Sequence, residues 1–284
     1  MSLNSLEEIA SYIVSDGKGI LAADESNPTC TKRFDTIGVE STEESRRDYR
    51  EMLFTSGALQ DNIGGVILFD ETIRQHAKDG TSLVEIMNSH GALPGIKVDK
   101  GLQPIGESEE TVTVGLDGLD ERLKEYFELG AKFTKWRAVI KIGNNMPTDH
   151  CIDANMKALA DYAKIVQDNG MVPMVEPEVL MEGSHSIDDC FEVTDRSLKS
   201  LFHHLNKNEV NIKGTILKPN MVTAGATCSH QASINEVAQR TLDCLKANVP
   251  SELPAITFLS GGQSELLATA HLDAMNKIGG FIWN

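Results

Sequence analysis

The sequence predicts an α/β fold, a (β/α)8 TIM barrel in which parallel strands alternate with helices. Short apolar runs recur at intervals of roughly thirty to forty-five residues, the spacing of βα units rather than of hairpins. The segments between these runs carry apolar residues at helical spacing. Polar residues end nearly every run, as expected where each strand contributes to one shared mouth.

The main alternative is an open, doubly wound parallel sheet, which binds ligands at a single switch point. That architecture often begins with a GxGxxG turn, and the first strand-like run is not followed by one. No linker, low-complexity run or shift of composition divides the 284 residues, so we expect one domain over residues 1–284.

Ser5 and Glu8 form a capping-box pair at the start of an amphipathic helix that carries Leu6, Ile9 and Ile13. Seven apolar runs are predicted as strands, over residues 19–24, 64–71, 95–100, 133–142, 171–180, 214–222 and 255–262. Helical patterns cover residues 43–55, 119–129, 153–168, 190–205, 234–245 and 264–275. An eighth strand should begin near residue 281, where only four residues of the sequence remain.

Composition narrows the function classes. The formal net charge of −16 disfavours nucleic acid and anionic membranes as partners, because both require clustered Lys and Arg. Five dispersed cysteines without a CxxC pair indicate neither a disulfide framework nor a thiolate zinc site. The N-terminus has no signal-peptide pattern and no apolar run is long enough for a bilayer. We expect a cytoplasmic protein that does not bind membranes.

Polar residues at the predicted strand ends would converge at the barrel mouth. They comprise three lysines, an arginine, three carboxylates and a Ser-Gly-Gly turn: Lys97, Lys135, Lys218, Arg137, Asp24, Glu176, Glu178, Ser260, Gly261 and Gly262. So many charges in one mouth are difficult to explain by packing alone, and we interpret them as a candidate active site.

Lys218 is the most informative of these residues. It lies between the strand formers of residues 215–217 and Pro219, where the strand should end. Neighbouring cations disfavour a further protonated amine, which is how a lysine becomes a nucleophile near neutral pH. A nucleophilic lysine forms a Schiff base with a carbonyl, and the remaining cations and the turn at Ser260 suit phosphate groups.

Each residue also has a purely structural interpretation. Lys218 could be an edge lysine with a solvated amine, Asp24 a helix cap, and the turn at Ser260 a plain turn. Glu176 could form a structural bridge to Arg137. A metal-dependent enzyme is disfavoured, because the eight histidines show no pattern of ligands at strand ends.

Several motifs carry a resemblance to a known family. They are GKGILAADES (17–26), IGVESTEESRR (37–47), GGVILFDET (64–72), GIKVDKG (95–101), FTKWR (133–137), VPMVEPE (172–178), ILKPNMV (216–222) and TFLSGGQSE (257–265). Together they resemble the class I, Schiff-base fructose-bisphosphate aldolases of the eukaryotic type, over almost the whole chain. The segments LKPNMV and FLSGGQSE are highly specific.

The resemblance implies a (β/α)8 barrel that acts in glycolysis. It would cleave fructose 1,6-bisphosphate to dihydroxyacetone phosphate and glyceraldehyde 3-phosphate through a covalent lysine imine, with no metal and no other cofactor. The family also implies a homotetramer and an association with cytoskeletal proteins.

The resemblance assigns roles by motif. Lys218 matches the Schiff-base lysine, and Lys135 matches the lysine that assists imine formation. Asp24 matches the acid that interacts with the substrate hydroxyls during bond cleavage, and Glu176 the general acid/base for loss of water. The expected substrate-binding residues are Lys97, Arg137, Glu178, Ser26, Thr29, Arg33, Leu259, Ser260, Gly261 and Gly262. Thr29 stands where the family usually has serine.

The family pattern continues with an eighth strand containing Ser-x-Gly-Arg, then helices and a tail that ends in tyrosine. These segments do not appear in the 284 residues. We therefore expect an incomplete barrel with free edges on the first and seventh strands, and low stability or activity. The alternative function is that of a catalytically dead, truncated aldolase-like binding protein.

Overall fold

The computed structural model describes residues 3–280 and shows a curved, parallel, seven-stranded sheet with helices on its outer face. The sheet has the strand order β1-β2-β3-β6-β7-β8-β9, and β4 and β5 form a separate antiparallel pair. The strands are β1 Gly19–Ala23, β2 Ile63–Leu68, β3 Leu93–Lys97, β4 Leu102–Pro104, β5 Thr111–Thr113, β6 Phe133–Ile140, β7 Val172–Val179, β8 Ile216–Leu217 and β9 Ala255–Ile256.

Eleven α-helices are present in the described part of the chain. They are α1 Leu6–Ile13, α2 Asn27–Asp35, α3 Glu43–Phe54, α4 Gly57–Asn62, α5 Asp70–Ile73, α6 Leu83–Ser89, α7 Leu119–Glu128, α8 Asp149–Asp168, α9 Ile187–Lys207, α10 Ile234–Asn248 and α11 Glu265–Ile278. Short 3-10 turns cover Ser15–Gly17 and Ile212–Gly214. No helix within residues 3–280 is long and apolar enough to cross a membrane.

The sheet is TIM-barrel-like, with consecutive strands in parallel register. The longest pairing joins β6 to β7, from Phe133 opposite Val172 to Ile140 opposite Val179. Among residues 3–280, β1 pairs only with β2 and β9 pairs only with β8, so no described strand joins the two ends of the sheet. The eighth strand expected near residue 281 lies outside the described residues.

Two apolar cores flank the sheet. Inside its curve, Ile67, Phe133 and Met174 pack with Ile13 of α1, so α1 covers the amino-terminal ends of the strands. The Phe133 ring occupies this interior, and a Cβ built on Gly95 would lie 2.3 Å from it. The larger core lies between the outer face of the sheet and the surrounding helices. Alternating strand positions therefore separate interior residues from helix-facing residues.

The predicted element pattern is largely confirmed. Each predicted strand run contains a strand, although β8 and β9 have only two residues each. Pro219 explains part of this, because proline cannot donate to the ladder. Helix α8 begins four residues before the predicted range, at the Thr148 cap, and α9 begins three residues before it, at the Ser186 capping box.

Candidate active site

The predicted catalytic residues lie together in the structure, although only two of them stand at the end of a strand. Asp24 follows β1, Lys135 lies in β6, Glu176 lies in β7, and Lys218 follows β8. The backbone amide of Lys218 still donates to the Val175 carbonyl at 2.9 Å, so the ladder continues one residue beyond β8. Lys135 and Glu176 are internal residues of β6 and β7, not their last residues as the sequence pattern predicted. The parallel strands nevertheless bring all four side chains into one contact network.

Lys135 is the centre of the charge network. Its Nζ lies 3.0 Å from Asp24 Oδ2 and 3.0 Å from Glu176 Oε2, and its side chain is only 6% exposed. Burial favours the neutral amine, but the carboxylates of Glu176, Asp24 and Asp99 outweigh burial and raise the pKa of Lys135. The ammonium is thus held in its charged form.

Asp24 shows the complementary effect. Burial alone would raise its pKa, but the positive charges of Lys135, Lys218 and Lys97, with the hydrogen bond from Lys135, lower that pKa below its ordinary value. Asp24 is therefore a carboxylate at neutral pH. A buried carboxylate in this state is available to accept a proton or a hydrogen bond from a hydroxyl.

Lys218 shares its carboxylate partner with Lys135. Its Nζ lies 3.0 Å from Glu176 Oε1, and the Lys218 side chain is 12% exposed. Glu176 thus uses one oxygen for each lysine, with its own side chain 4% exposed. A buried carboxyl in contact with a candidate nucleophile is placed to move protons to and from it.

Two further cations are held by carboxylates at the mouth. Arg137 donates through Nε to Glu178, and Lys97 Nζ lies 2.8 Å from Asp99 Oδ1. Burial lowers the pKa of Arg137, but the hydrogen bond and charge of Glu178 outweigh that effect and raise it. The alternative in which Glu176 forms a structural bridge to Arg137 is wrong. Glu178 is the carboxylate that pairs with Arg137.

Two cavities open beside this network. The first, of about 590 Å³, is lined by Lys135, Arg137, Glu176, Glu178 and Lys218, together with the segment from Thr257 to Gly262 and parts of β1 and α11. The second, of about 690 Å³, is lined by Ser26, Lys97 and Asp99 among others. Each has the size of a small-molecule site. The predicted catalytic residues Lys135, Glu176 and Lys218 line the first cavity, whereas Asp24 lines neither. Predicted phosphate-binding residues line both.

The Ser-Gly-Gly turn lies on the first cavity. Leu259 is buried, and Gly261 and Gly262 adopt φ of 62° and 90°. Side chains disfavour these left-handed values, so glycine suits both positions. Helix α11 begins three residues later at Glu265 with Ser264 as its cap. The arrangement presents backbone amides near a helix start, which favours anions.

The predicted residues after β1 form a separate group. Ser26 is the cap residue of α2, and its hydroxyl lies 3.1 Å from that of Thr29. Arg33 is 58% exposed and pairs with Glu25. Ser26 reaches the second cavity, whereas Thr29 and Arg33 do not line either cavity.

Sequence reasoning missed two acidic residues. Asp99 holds Lys97, and Glu25 holds Arg33. Both carboxylates occur inside motifs that were recognised, two residues after Lys97 and one residue after Asp24. A search for carboxylates within two residues of each predicted site residue would have identified both.

No group of three or more His, Cys, Asp or Glu side chains among residues 3–280 has an arrangement that could hold a metal ion. All five cysteines are free thiols.

Comparison with known proteins gives a consistent result. The family model for fructose-bisphosphate aldolase class-I matches residues 5–283. A probable fructose-bisphosphate aldolase class 1 from Xanthomonas axonopodis pv. citri is 55% identical over 284 residues, which is 100% of this chain and 85% of the relative. Fructose-bisphosphate aldolase 4, cytosolic, from Arabidopsis thaliana is 51% identical over 95% of this chain and 69% of its own length. A solved Plasmodium falciparum aldolase, in complex with TRAP and a small-molecule inhibitor, has a TM-score of 0.96 at 46% identity, covering 98% of this chain and 81% of its own.

Proposed function

The chain belongs to the class I fructose-bisphosphate aldolases, glycolytic lyases that use a Schiff-base lysine and no metal, and we propose that Lys218 is the lysine that forms the Schiff base. The observation that carries this proposal is the buried network in which Glu176 contacts both Lys218 and Lys135 at 3.0 Å. Such a network supplies a nucleophile, a proton carrier and a fixed cation within one cavity.

Imine formation is the first part of the proposed mechanism. The neutral amine of Lys218 attacks the keto carbon of the open-chain sugar bisphosphate and gives a carbinolamine. Glu176, in contact with Lys218, takes the proton that the amine loses before attack and then delivers it to the carbinolamine hydroxyl, which leaves as water. Lys135 keeps its ammonium through these steps, because two carboxylates hold it.

Carbon–carbon cleavage follows from the imine. The Asp24 carboxylate takes the proton of the hydroxyl on the fourth carbon as the bond between the third and fourth carbons breaks. The electron pair of that bond moves to the imine nitrogen and leaves an enamine, while glyceraldehyde 3-phosphate departs. The enamine then takes a proton on carbon, and hydrolysis of the imine releases dihydroxyacetone phosphate and Lys218.

We assign one phosphate of the substrate to each of the two cavities. One phosphate would bind at the first cavity through the turn from Leu259 to Gly262 and Arg137. The other would lie at the second cavity near Ser26 and Lys97, with Thr29 and Arg33 on the adjoining helix. Glu178 then has a supporting role, because it holds the Arg137 side chain in place.

We also propose the cellular context by analogy. An Arabidopsis relative is described as cytosolic, which supports a cytoplasmic location. Homotetramer formation and association with cytoskeletal proteins are family properties that we extend to this chain. The Plasmodium relative was solved with TRAP, so the fold is able to engage a partner protein.

The decisive experiment is imine trapping. The purified chain is treated with borohydride and dihydroxyacetone phosphate, and peptide mass analysis locates the adduct. We expect one adduct on Lys218, none in Lys218→Arg, and an unchanged adduct in the control Lys213→Arg, which alters an exposed lysine five positions away. An adduct on another lysine would refute the assignment, and no adduct on the wild-type chain would favour the binding-protein alternative.

A further inference from the structure

Arg50 is a buried charge outside the network described above. It lies in α3, a helix rich in charged residues, yet only 1% of the residue is exposed. Arginine is almost never fully buried unless its guanidinium is paired. An unpaired charge there would cost far more than burial of its alkyl stem gains, so its partners explain its position.

The guanidinium binds the backbone on both sides of Asp24. Nε and Nη2 each lie 3.3 Å from the Ala23 carbonyl oxygen, and Nη2 donates to the Glu25 carbonyl at 2.9 Å. Nη1 lies 3.1 Å from the Cys30 Sγ at the first turn of α2. Arg50 therefore fastens the segment that contains Asp24 to helix α3.

The Glu25 side chain extends the same arrangement. Arg50 Nη2 lies 3.2 Å from Glu25 Oε2, whereas Glu25 Oε1 receives Arg33 and the Tyr49 hydroxyl at 3.3 Å. Glu25 is 9% exposed, so these contacts are largely shielded from solvent. The carboxylate that holds Arg33 is itself held by Arg50.

We propose that Arg50 and Glu25 are positioning residues for the aldol cleavage: Arg50 orients Asp24 through the carbonyls that flank it, and Glu25 fixes Arg33 on helix α2, whose cap residue Ser26 lines the second cavity. The inference rests on the proposed function, because it acts through the roles given there to Asp24 and Arg33. Among the described residues β1 pairs only with β2, and the Arg50 hydrogen bonds to Ala23 and Glu25 join the segment after β1 to α3.

Substitution of a residue with a purely structural role would lower the stability of the fold and nothing else. A positioning residue also changes the environment of Asp24, which faces Lys135 from β6, Lys97 from β3 and Lys218 after β8. If the segment shifts, Asp24 moves away from these cations while it remains buried, and its pKa rises. The acid limb of the kcat profile then moves to higher pH, since Asp24 must be ionised to accept a proton.

The test is Arg50→Lys, with Arg46→Lys as a matched control. Lysine keeps the charge but cannot reproduce the planar fork that reaches Ala23, Glu25 and Cys30 at once. Arg46 lies one turn earlier in α3, is 9% exposed and pairs with Glu71 instead. We expect kcat of Arg50→Lys to fall by about 10- to 100-fold, as for a small misplacement of a reacting group, with the acid limb shifted upward. Arg46→Lys should lower the melting temperature without either change.

A second variant covers the case in which Arg50→Lys does not fold. Glu25→Gln preserves the shape of the side chain and weakens its hold on Arg33, so KM should rise more than kcat falls. A folded Arg50→Lys with the kcat and acid limb of Arg46→Lys would overturn the proposal, as would a Glu25→Gln with unchanged KM. Borohydride trapping of Lys218 in the same wild-type preparation tests the proposed function separately, because imine formation does not require Asp24 to be placed for cleavage.

Discussion

The substitution Lys135→Met tests whether the buried charge network is held together by Lys135. Each of the two ion pairs at 3.0 Å corresponds to about 5 kcal/mol of attraction at an effective dielectric constant of roughly 20. Most of that attraction offsets the cost of burying three charges. Removing the shared cation leaves Asp24 without its closest partner, and breaking a buried pair in this way typically costs about 3–5 kcal/mol of stability.

The pH dependence of this loss has a definite sign. In the wild type the pKa of Asp24 is lowered, so its contribution to stability is complete above its unfolded value and is lost only as pH falls through the lower folded value. In Lys135→Met, burial without Lys135 raises the pKa of Asp24, and the ionised carboxylate becomes a penalty at neutral pH. That penalty disappears as the carboxyl takes up a proton, so the deficit of the variant should shrink between pH 7.5 and pH 4.5.

Thermal and urea denaturation at the two pH values measure the effect. At pH 7.5 we expect the melting temperature of Lys135→Met to fall by roughly 6–15 °C. The control Lys141→Met removes an exposed pair with Glu109 and should leave the melting temperature within measurement error at both values. The reasoning is wrong if Lys135→Met behaves like the control, or if its deficit is the same at both pH values.

Three further predictions concern packing, a buried hydroxyl and metal dependence. Gly64→Ala would place a Cβ 2.0 Å from the Ile13 carbonyl oxygen, so we expect the free energy of unfolding, measured in urea, to fall by about 1–3 kcal/mol. In the control Gly57→Ala the added Cβ meets nothing within 4 Å, so stability should not fall. Equal stabilities of the two variants would contradict this prediction. Tyr162→Phe removes the 2.6 Å hydrogen bond to Thr134 on the outer face of β6. It should lower the free energy of unfolding by about 1–2 kcal/mol and leave KM unchanged. A change in KM would contradict this prediction, because it would show that the contact affects substrate binding. Dialysis against EDTA should leave kcat unchanged, because class I aldolases use a lysine imine and no metal. Loss of activity in EDTA that zinc restores would contradict a metal-independent mechanism.

The strands and the mouth were predictable from sequence because their signals are local. An apolar run that ends in a polar residue identifies both a buried parallel strand and a side chain at its carboxyl end. Asp24, Lys135, Glu176 and Lys218 were placed together on this basis, and the structure brings all four into one contact network.

Elements without apolar periodicity were not predictable in this way. Helix α2 has the sequence NPTCTKRFD and buries only Cys30 and Phe34 on its inner face, so it has no stripe to recognise. Each strand of the β4–β5 pair has only three residues. The pair is stabilised by a contact with β6, in which the Thr113 hydroxyl donates to the Arg137 carbonyl at 2.7 Å. The burial of Arg50 could not be predicted for a related reason. A charged residue in a helix rich in charged residues normally indicates a solvated surface.

The pairing of charges shows why Glu176 is better suited than Glu178 to move protons at Lys218. Within residues 3–280, the cation paired with Glu178 is Arg137, which stays protonated at any pH the protein meets. Glu176 has two cationic partners, and they differ in what the reaction requires of them: Lys218 must lose its proton to attack, whereas Lys135 can keep its own. Once Glu176 has passed the proton of Lys218 on to the leaving hydroxyl, its carboxylate therefore still has Lys135 at 3.0 Å as a counter-charge. A shared carboxylate between two lysines thus lets one amine change protonation state while the charges around it remain balanced.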